Sequence, residues 1–182
     1  MIDYRAYLLY AIDELPKNLY GLCYEVIADS RFTTSPGGSE HHHNYKGGLI
    51  QHTAEVMNNA ISLGTEVSQD VLRTAVIFHD FCKTKDYGLT PDGKVTKRSY
   101  RNLINHVSGS AAEFYHRACV ARLDEVMIEK IMHCLLSHHG RREWGSPVEP
   151  LTAEAFILHA ADMMSAKGIV ICPEDFRLRS IS

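Results

Sequence analysis

Apolar residues recur at helical spacing along most of the chain. Tyr4 to Ile12 is a first predicted helix, broken near Pro16, and Leu19 to Ala28 is a second. Arg31 to Tyr45 is polar, rich in Ser, Thr, Gly and His, and reads as a loop. Gly47-Gly48 then admits a helix from about Leu49 to Leu63. Ser68 is the N-cap candidate of a helix ending near Lys83, with Asp70 in its first turn. Asp86 to Lys97 contains the turn signal Thr90-Pro91-Asp92-Gly93 and predicts a small hairpin or flap. Further helices are predicted from about Arg101 to Val120 and from Leu123 to His139, the latter stopped by Gly140. Trp144-Gly145-Ser146-Pro147 is loop, and Thr152 caps a last helix running to about Ala166. No repeat, low-complexity segment or linker interrupts this pattern. It predicts an all-α fold, one domain over residues 1–182 formed as a bundle of about six or seven helices.

Five of the apolar segments carry a histidine or an aspartate where a hydrophobe is expected. His79-Asp80 closes the run Ala75-Val76-Ile77-Phe78, with Lys83 three residues on. His52 lies between Leu49-Ile50 and Val56-Met57, and His106 between Ile104 and Val107. His138-His139 ends the run from Ile131, and Asp162 follows Ala160-Ala161. Such groups are costly in a core unless they are paired or bind a metal. On a helix, positions three and four apart are neighbours, so His79, Asp80 and Lys83 are expected on one face.

Imidazole and carboxylate donors together suit Mn²⁺, Fe²⁺, Co²⁺, Ni²⁺ or Zn²⁺. His52, His79, Asp80, His106, His138, His139 and Asp162 exceed the needs of one tetrahedral ion. They suit two ions roughly 3.5–4 Å apart that share a carboxylate. Asp80 is the natural bridge, with His52, His79 and Asp162 on one ion and His106, His138 and His139 on the other. A water between such ions loses a proton near neutral pH and becomes a nucleophile.

Composition narrows the setting. The chain has 182 residues, 45% hydrophobic and 23% charged, with a formal charge of -3 and no basic tract that would by itself argue for nucleic acid. No stretch is long enough to span a membrane, and the N-terminus lacks a signal-peptide pattern. The five cysteines show no C-x-x-C spacing and read as reduced, mostly buried thiols of a cytoplasmic protein. The unusual count is histidine, 11 in all, three of them in the run His41-His42-His43.

The order H…HD…H…HH…D resembles the two-metal branch of the HD superfamily of metal-dependent phosphohydrolases. In more detail the chain resembles the HD domain of YhaM-type 3′→5′ exoribonucleases. The resemblance is carried by four stretches: His42-His43 with Gly48-Leu49 and His52; Val76 to Asp80 with Lys83; Leu135 to Gly140 with Glu143 to Pro147; and Pro150 to Ala155 with Ile157 to Asp162 and Ala166-Lys167. It runs from about Tyr20 to Lys167. That family also carries an N-terminal OB-fold able to grip single-stranded RNA, which these residues do not match. The expectation is that catalysis carries over and the polymer substrate does not.

The resemblance implies an enzyme that hydrolyses a phosphoester of a nucleotide or a short single-stranded oligonucleotide. The alternatives are a YhaM-type 3′→5′ exoribonuclease and a di-iron oxygenase of the HD type; a homodimer is compatible with the superfamily. Asp80, Lys83 and His43 are the catalytic candidates: Lys83 to neutralise a phosphate oxygen, His43 to meet substrate or donate a proton to the leaving group. Arg141, Lys83 and Trp144 are the substrate-binding candidates, arginine for its bidentate match to phosphate and tryptophan for stacking on a base. Arg142 shares the first of these features, and His159, one turn before Asp162, is a candidate partner of a ligand.

Overall fold

Side-chain caps start several of the helices that the pattern anticipates. In the computed structural model, which describes residues 2–39 and 42–172, Asp3 Oδ1 accepts from Ala6 N at 3.0 Å and opens α1 (Tyr4–Ile12). His41 of the histidine run lies outside the described residues. Helix α2 (Lys17–Ala28) is followed by a short α3 (Ser30–Thr34) inside the segment expected to be loop. Asp29 is responsible: its carboxylate caps Arg31 N at 2.8 Å, a local bond that hydrophobic spacing does not register.

Helix α4 (Gly48–Leu63) starts from Gly47 at φ +83°, and α5 (Gln69–Phe78) from the hydroxyl of Ser68. Helix α5 ends at Phe78, short of the predicted Lys83. The bonds from Phe81 N to Phe78 O and from Lys83 N to Asp80 O have the tighter i→i+3 pattern. A four-residue α6 (Lys83–Asp86) leads to strands β1 (Tyr87–Leu89) and β2 (Val95–Lys97). The strands pair antiparallel, Tyr87 opposite Lys97, so the turn signal forms a small hairpin.

The single helix expected from Arg101 to Val120 is two, α7 (Ser99–Leu103) and α8 (His106–Val120). Asn105 separates them at φ 60° and ψ 165°, a conformation that residues other than glycine adopt at a cost of about 1–3 kcal/mol. Its side chain caps Ser108 N, so the strained residue starts α8 at His106. Helices α9 (Glu125–Ser137) and α10 (Ala153–Ser165) complete the described chain, capped by Asp124 and Thr152.

The protein is therefore mostly helical, with one two-stranded sheet among the described residues. Helices α1, α2, α4, α5, α8, α9 and α10 each have nine residues or more. Helix α5 is central: it packs on α2, α4, α8, α9 and α10. Its Phe78 meets Phe114 of α8 edge-on, ring centroids 5.2 Å apart, inside one continuous apolar core. All five cysteines are free; Cys23, Cys82 and Cys134 are buried, whereas Cys119 and Cys172 are exposed. Among the described residues no helix is long and apolar enough to cross a membrane.

Gly48 has a steric reason to be glycine. A Cβ there would collide with the carbonyl of His43, which itself sits at φ 60°. Gly48→Ala is expected to cost about 1–3 kcal/mol, as overpacking does, and to push the His43 loop from α4. Chemical denaturation with an unchanged m-value would register the loss.

Candidate metal centre

Apolar helices bring their polar outliers to one point. His52 comes from α4, His79 caps the C-terminus of α5, Asp80 follows it, and Asp162 comes from α10. One donor atom from each of the four lies within 4.8 Å of all the others. His52 Nε2 is 3.2 Å from Asp80 Oδ2 and 3.1 Å from Asp162 Oδ1, and His79 Nε2 is 3.4 Å from Asp80 Oδ2.

His106 at the start of α8, His138 capping α9 and the adjacent His139 form a second group with the same closeness. His106 Nε2 lies 3.3 Å from His139 Nε2. Asp80 Oδ1 faces this group, 3.5 Å from His106 Nε2 and 3.7 Å from His138 Nε2. The two oxygens of one carboxylate thus address the two groups separately.

Each of the five imidazoles in these groups has its outer nitrogen occupied. His79 Nδ1–H donates to Val76 O and His138 Nδ1–H to Leu135 O, both at 2.7 Å. Both rings fold back onto carbonyls in the last turn of their helices, where intrahelical donors run out. His139 Nδ1–H donates to Trp144 O at 2.8 Å, His106 Nδ1–H to Asp86 Oδ2 at 2.7 Å, and His52 Nδ1–H to Ser165 Oγ at 2.9 Å. An imidazole held in this way presents the lone pair of Nε2 inward, the tautomer a metal needs.

The donor set fits divalent metal ions. Asp80 Oδ1 and His138 Nε2 are buried without a hydrogen-bond partner, a costly state that a cation between them relieves. Mixed imidazole and carboxylate donors favour transition metals over calcium.

Electrostatics separate the two groups. Burial pushes the His139 imidazole down to about 3, with His138 and His106 adding to the effect, and burial lowers His106 as well. These rings are neutral and ready to coordinate at neutral pH. Burial also opposes the His52 imidazolium, but Asp162 and Asp80 outweigh it and lift the group to about 9. Burial likewise works against charge on Asp80, yet Lys83 and His79 hold its carboxyl well below the usual range.

The sign of the pH effect follows. A raised His52 stabilises the metal-free fold below its unfolded value near 6.5, and this contribution is lost as pH rises through about 9. Metal must displace that proton. Binding is therefore expected to release a proton at pH 7 and to tighten towards pH 9, by up to about tenfold per unit for one displaced proton. Calorimetry in buffers of different ionisation enthalpy measures it.

A cleft of about 460 Å³ opens onto the first group. His43, Lys83, His139, Trp144 and Lys167 are among its lining residues. Lys83 Nζ sits 2.5 Å from Asp80 Oδ2, because residues three apart eclipse in the tight turn that carries them. His43 is buried, its Nε2 3.0 Å from Glu55 Oε2. Trp144 is about half exposed at the rim. Arg141 does not line this cleft; its guanidinium lies 5.0 Å from the Trp144 ring centroid, and it borders a separate cavity with Phe156 and His159. Arg142 is exposed. His159 Nδ1–H donates to His138 O at 2.8 Å and so supports the ligand turn from outside.

Three supporting residues escaped the sequence reading: Asp86 and Ser165, which bind the ligand candidates His106 and His52, and Glu55, which binds His43 and Ser165. Glu55 and Ser165 each fall three residues after a ligand candidate, and Asp86 three after Lys83. That spacing was the available signal.

The sequence model of the HD domain matches residues 49–167. Three proteins named 3′-5′ exoribonuclease YhaM are among the similar relatives. That of Bacillus velezensis is 32% identical over 145 residues, covering 78% of this chain and 46% of the relative. That of Bacillus subtilis is 32% identical over 142 residues, covering 76% and 45%. That of Listeria welshimeri is 37% identical over 138 residues, covering 74% and 44%. The chain thus spans less than half the length of these curated relatives. No solved structure gives a significant match. The matched segment takes in every residue of both histidine and aspartate groups, and the chain belongs to the HD-domain family.

Proposed function

We propose that this chain is a metal-dependent phosphohydrolase that cleaves a phosphoester of a nucleotide or a short single-stranded oligonucleotide. One observation carries the proposal: Asp80 turns Oδ2 to one donor group and Oδ1 to the other. That geometry supports two ions sharing a carboxylate, with His52, His79 and Asp162 as further ligands of one and His106, His138 and His139 of the other. When bound, the ions supply an acidified water for attack on phosphorus and neutralise charge on the phosphate oxygens.

The chain's own residues do the rest. Lys83 lines the cleft beside Asp80 and binds a non-bridging phosphate oxygen. His43 faces the same cleft and donates a proton to the leaving oxygen as the phosphorus–oxygen bond breaks. Trp144 at the rim stacks on a base. Arg141 reaches only the portion of a substrate that extends past Trp144. The described helices share one core, which supports one domain.

Relatives named as 3′-5′ exoribonucleases make single-stranded RNA the first substrate to test. Mn²⁺-loaded protein is incubated with a 5′-labelled RNA oligomer. A ladder shortening from the 3′ end supports exonucleolytic cleavage. An intact oligomer together with hydrolysis of mononucleotides restricts the substrate to small molecules. No hydrolysis of either overturns the proposal.

A further inference from the structure

We propose that Glu55 is a positioning residue that, through Ser165, sets the tautomer of the ligand candidate His52 and at the same time holds His43 at the cleft. The inference rests on the reading of His52 as a metal ligand. Glu55 lies three residues after His52 on α4, on the same helix face, and is 7% exposed. A buried carboxylate needs donors, and it has three. Gln51 Nε2–H donates to Oε1 at 2.8 Å. Ser165 Oγ–H donates to Oε2 at 2.8 Å, and His43 Nε2 lies 3.0 Å from the same oxygen.

The serine gives this arrangement a direction. A hydroxyl has one hydrogen, and Ser165 spends it on Glu55. Towards His52 Nδ1, 2.9 Å away, the oxygen can then only accept. His52 therefore keeps its hydrogen on Nδ1, so the proton that a metal displaces is the one on Nε2, which faces Asp80 and Asp162, and the lone pair freed there is the one offered to the ion. Were the serine hydrogen turned to Nδ1, Nε2 would carry a hydrogen and face the metal position with no lone pair. A carboxylate at position 55 forbids that reversal, because it has no hydrogen to offer. A glutamine permits it, because its amide can donate to Ser165.

The same oxygen secures the loop before α4. His43 sits at φ 60° with its carbonyl accepting from Gly37 N at 2.8 Å, and its ring centroid lies 5.2 Å from that of His52. Anchoring that loop alone would need no link from Glu55 to His52. Ser165, at the end of α10, supplies one.

The test uses the full chain and Mn²⁺ alone as the first probe. Glu55→Gln and Ser165→Ala are each expected to lower Mn²⁺ affinity by about 10- to 100-fold, the usual effect of losing a partner behind a metal ligand. Combined, they are expected to lose little more than the larger single loss, because both act on one hydrogen-bonded chain. At saturating Mn²⁺, Glu55→Gln is expected to lose more of kcat than Ser165→Ala, since only Glu55 also holds His43. Wild-type Mn²⁺ affinity in Glu55→Gln, or fully additive losses, would overturn the inference. Should Glu55→Gln fail to fold, wild-type affinity in Ser165→Ala does the same. Mn²⁺ binding needs no substrate, so a wild-type protein that binds Mn²⁺ and hydrolyses nothing sinks the phosphohydrolase reading alone.

Discussion

Asp80→Asn is expected to cut hydrolysis by more than about 100-fold and to lower bound Mn²⁺ below two ions per chain. The bound is set by comparison: losing a partner behind a ligand costs about 10- to 100-fold, and in the proposed site Asp80 would itself be a ligand. Its two oxygens lie between both donor groups, so one substitution touches both half-sites. Asparagine keeps the shape but offers one neutral oxygen in place of two charged ones. His52, His79 and Asp162 then lose the anion that faces them, and so do His106 and His138. Metal analysis after dialysis, beside the hydrolysis assay and a melting curve, measures the effect. Retained activity with two tightly bound ions would show that Asp80 does not bridge.

Lys83→Met is expected to separate metal binding from turnover. Burial disfavours charge on Lys83, but Asp80 and then Asp162 outweigh it and keep the ammonium protonated. An ammonium 2.5 Å from Asp80 Oδ2 competes with any cation at that oxygen. Removing it should leave Mn²⁺ affinity unchanged or higher. A donor aimed at a phosphoryl transition state is worth about 10²–10³ in kcat, so turnover should fall by that factor. A Mn²⁺ titration and kcat at saturating metal decide the matter. Lower affinity with unchanged kcat would reduce Lys83 to a structural partner of Asp80.

The ligand candidates were legible because they break a rule. His52, His79, Asp80, His106, His138-His139 and Asp162 interrupt apolar runs, and burying such groups is costly enough to need a reason. Caps at Ser68 and Thr152 were legible for a local reason, since they bind amides three residues on. The turn at Thr90 to Gly93 was legible likewise, with Gly93 at φ +84°. Two helix boundaries were not. The end of α5 at Phe78 lets His79 fold back onto Val76 O, and the break at Asn105 lets His106 meet Asp86. Neither has a glycine or proline to announce it; Asn105 is a local cap, bound to Ser108 N, but the contact it sets up, His106 with Asp86, joins residues 20 apart in the chain.

The sequence by itself determined which residues are costly to bury, and therefore the mostly helical pattern and the chemistry of the donor set. Period and polarity act over a few residues, so they carry that much and no further. Only the tertiary structure decided that Asp80 turns one oxygen to each group, that Asp86 and Ser165 hold His106 and His52, and that Arg141 borders a separate cavity. Ser165 and His52 are 113 residues apart in the chain. Contacts over such separations arise only when packing, here of α10 on α4, fixes both partners.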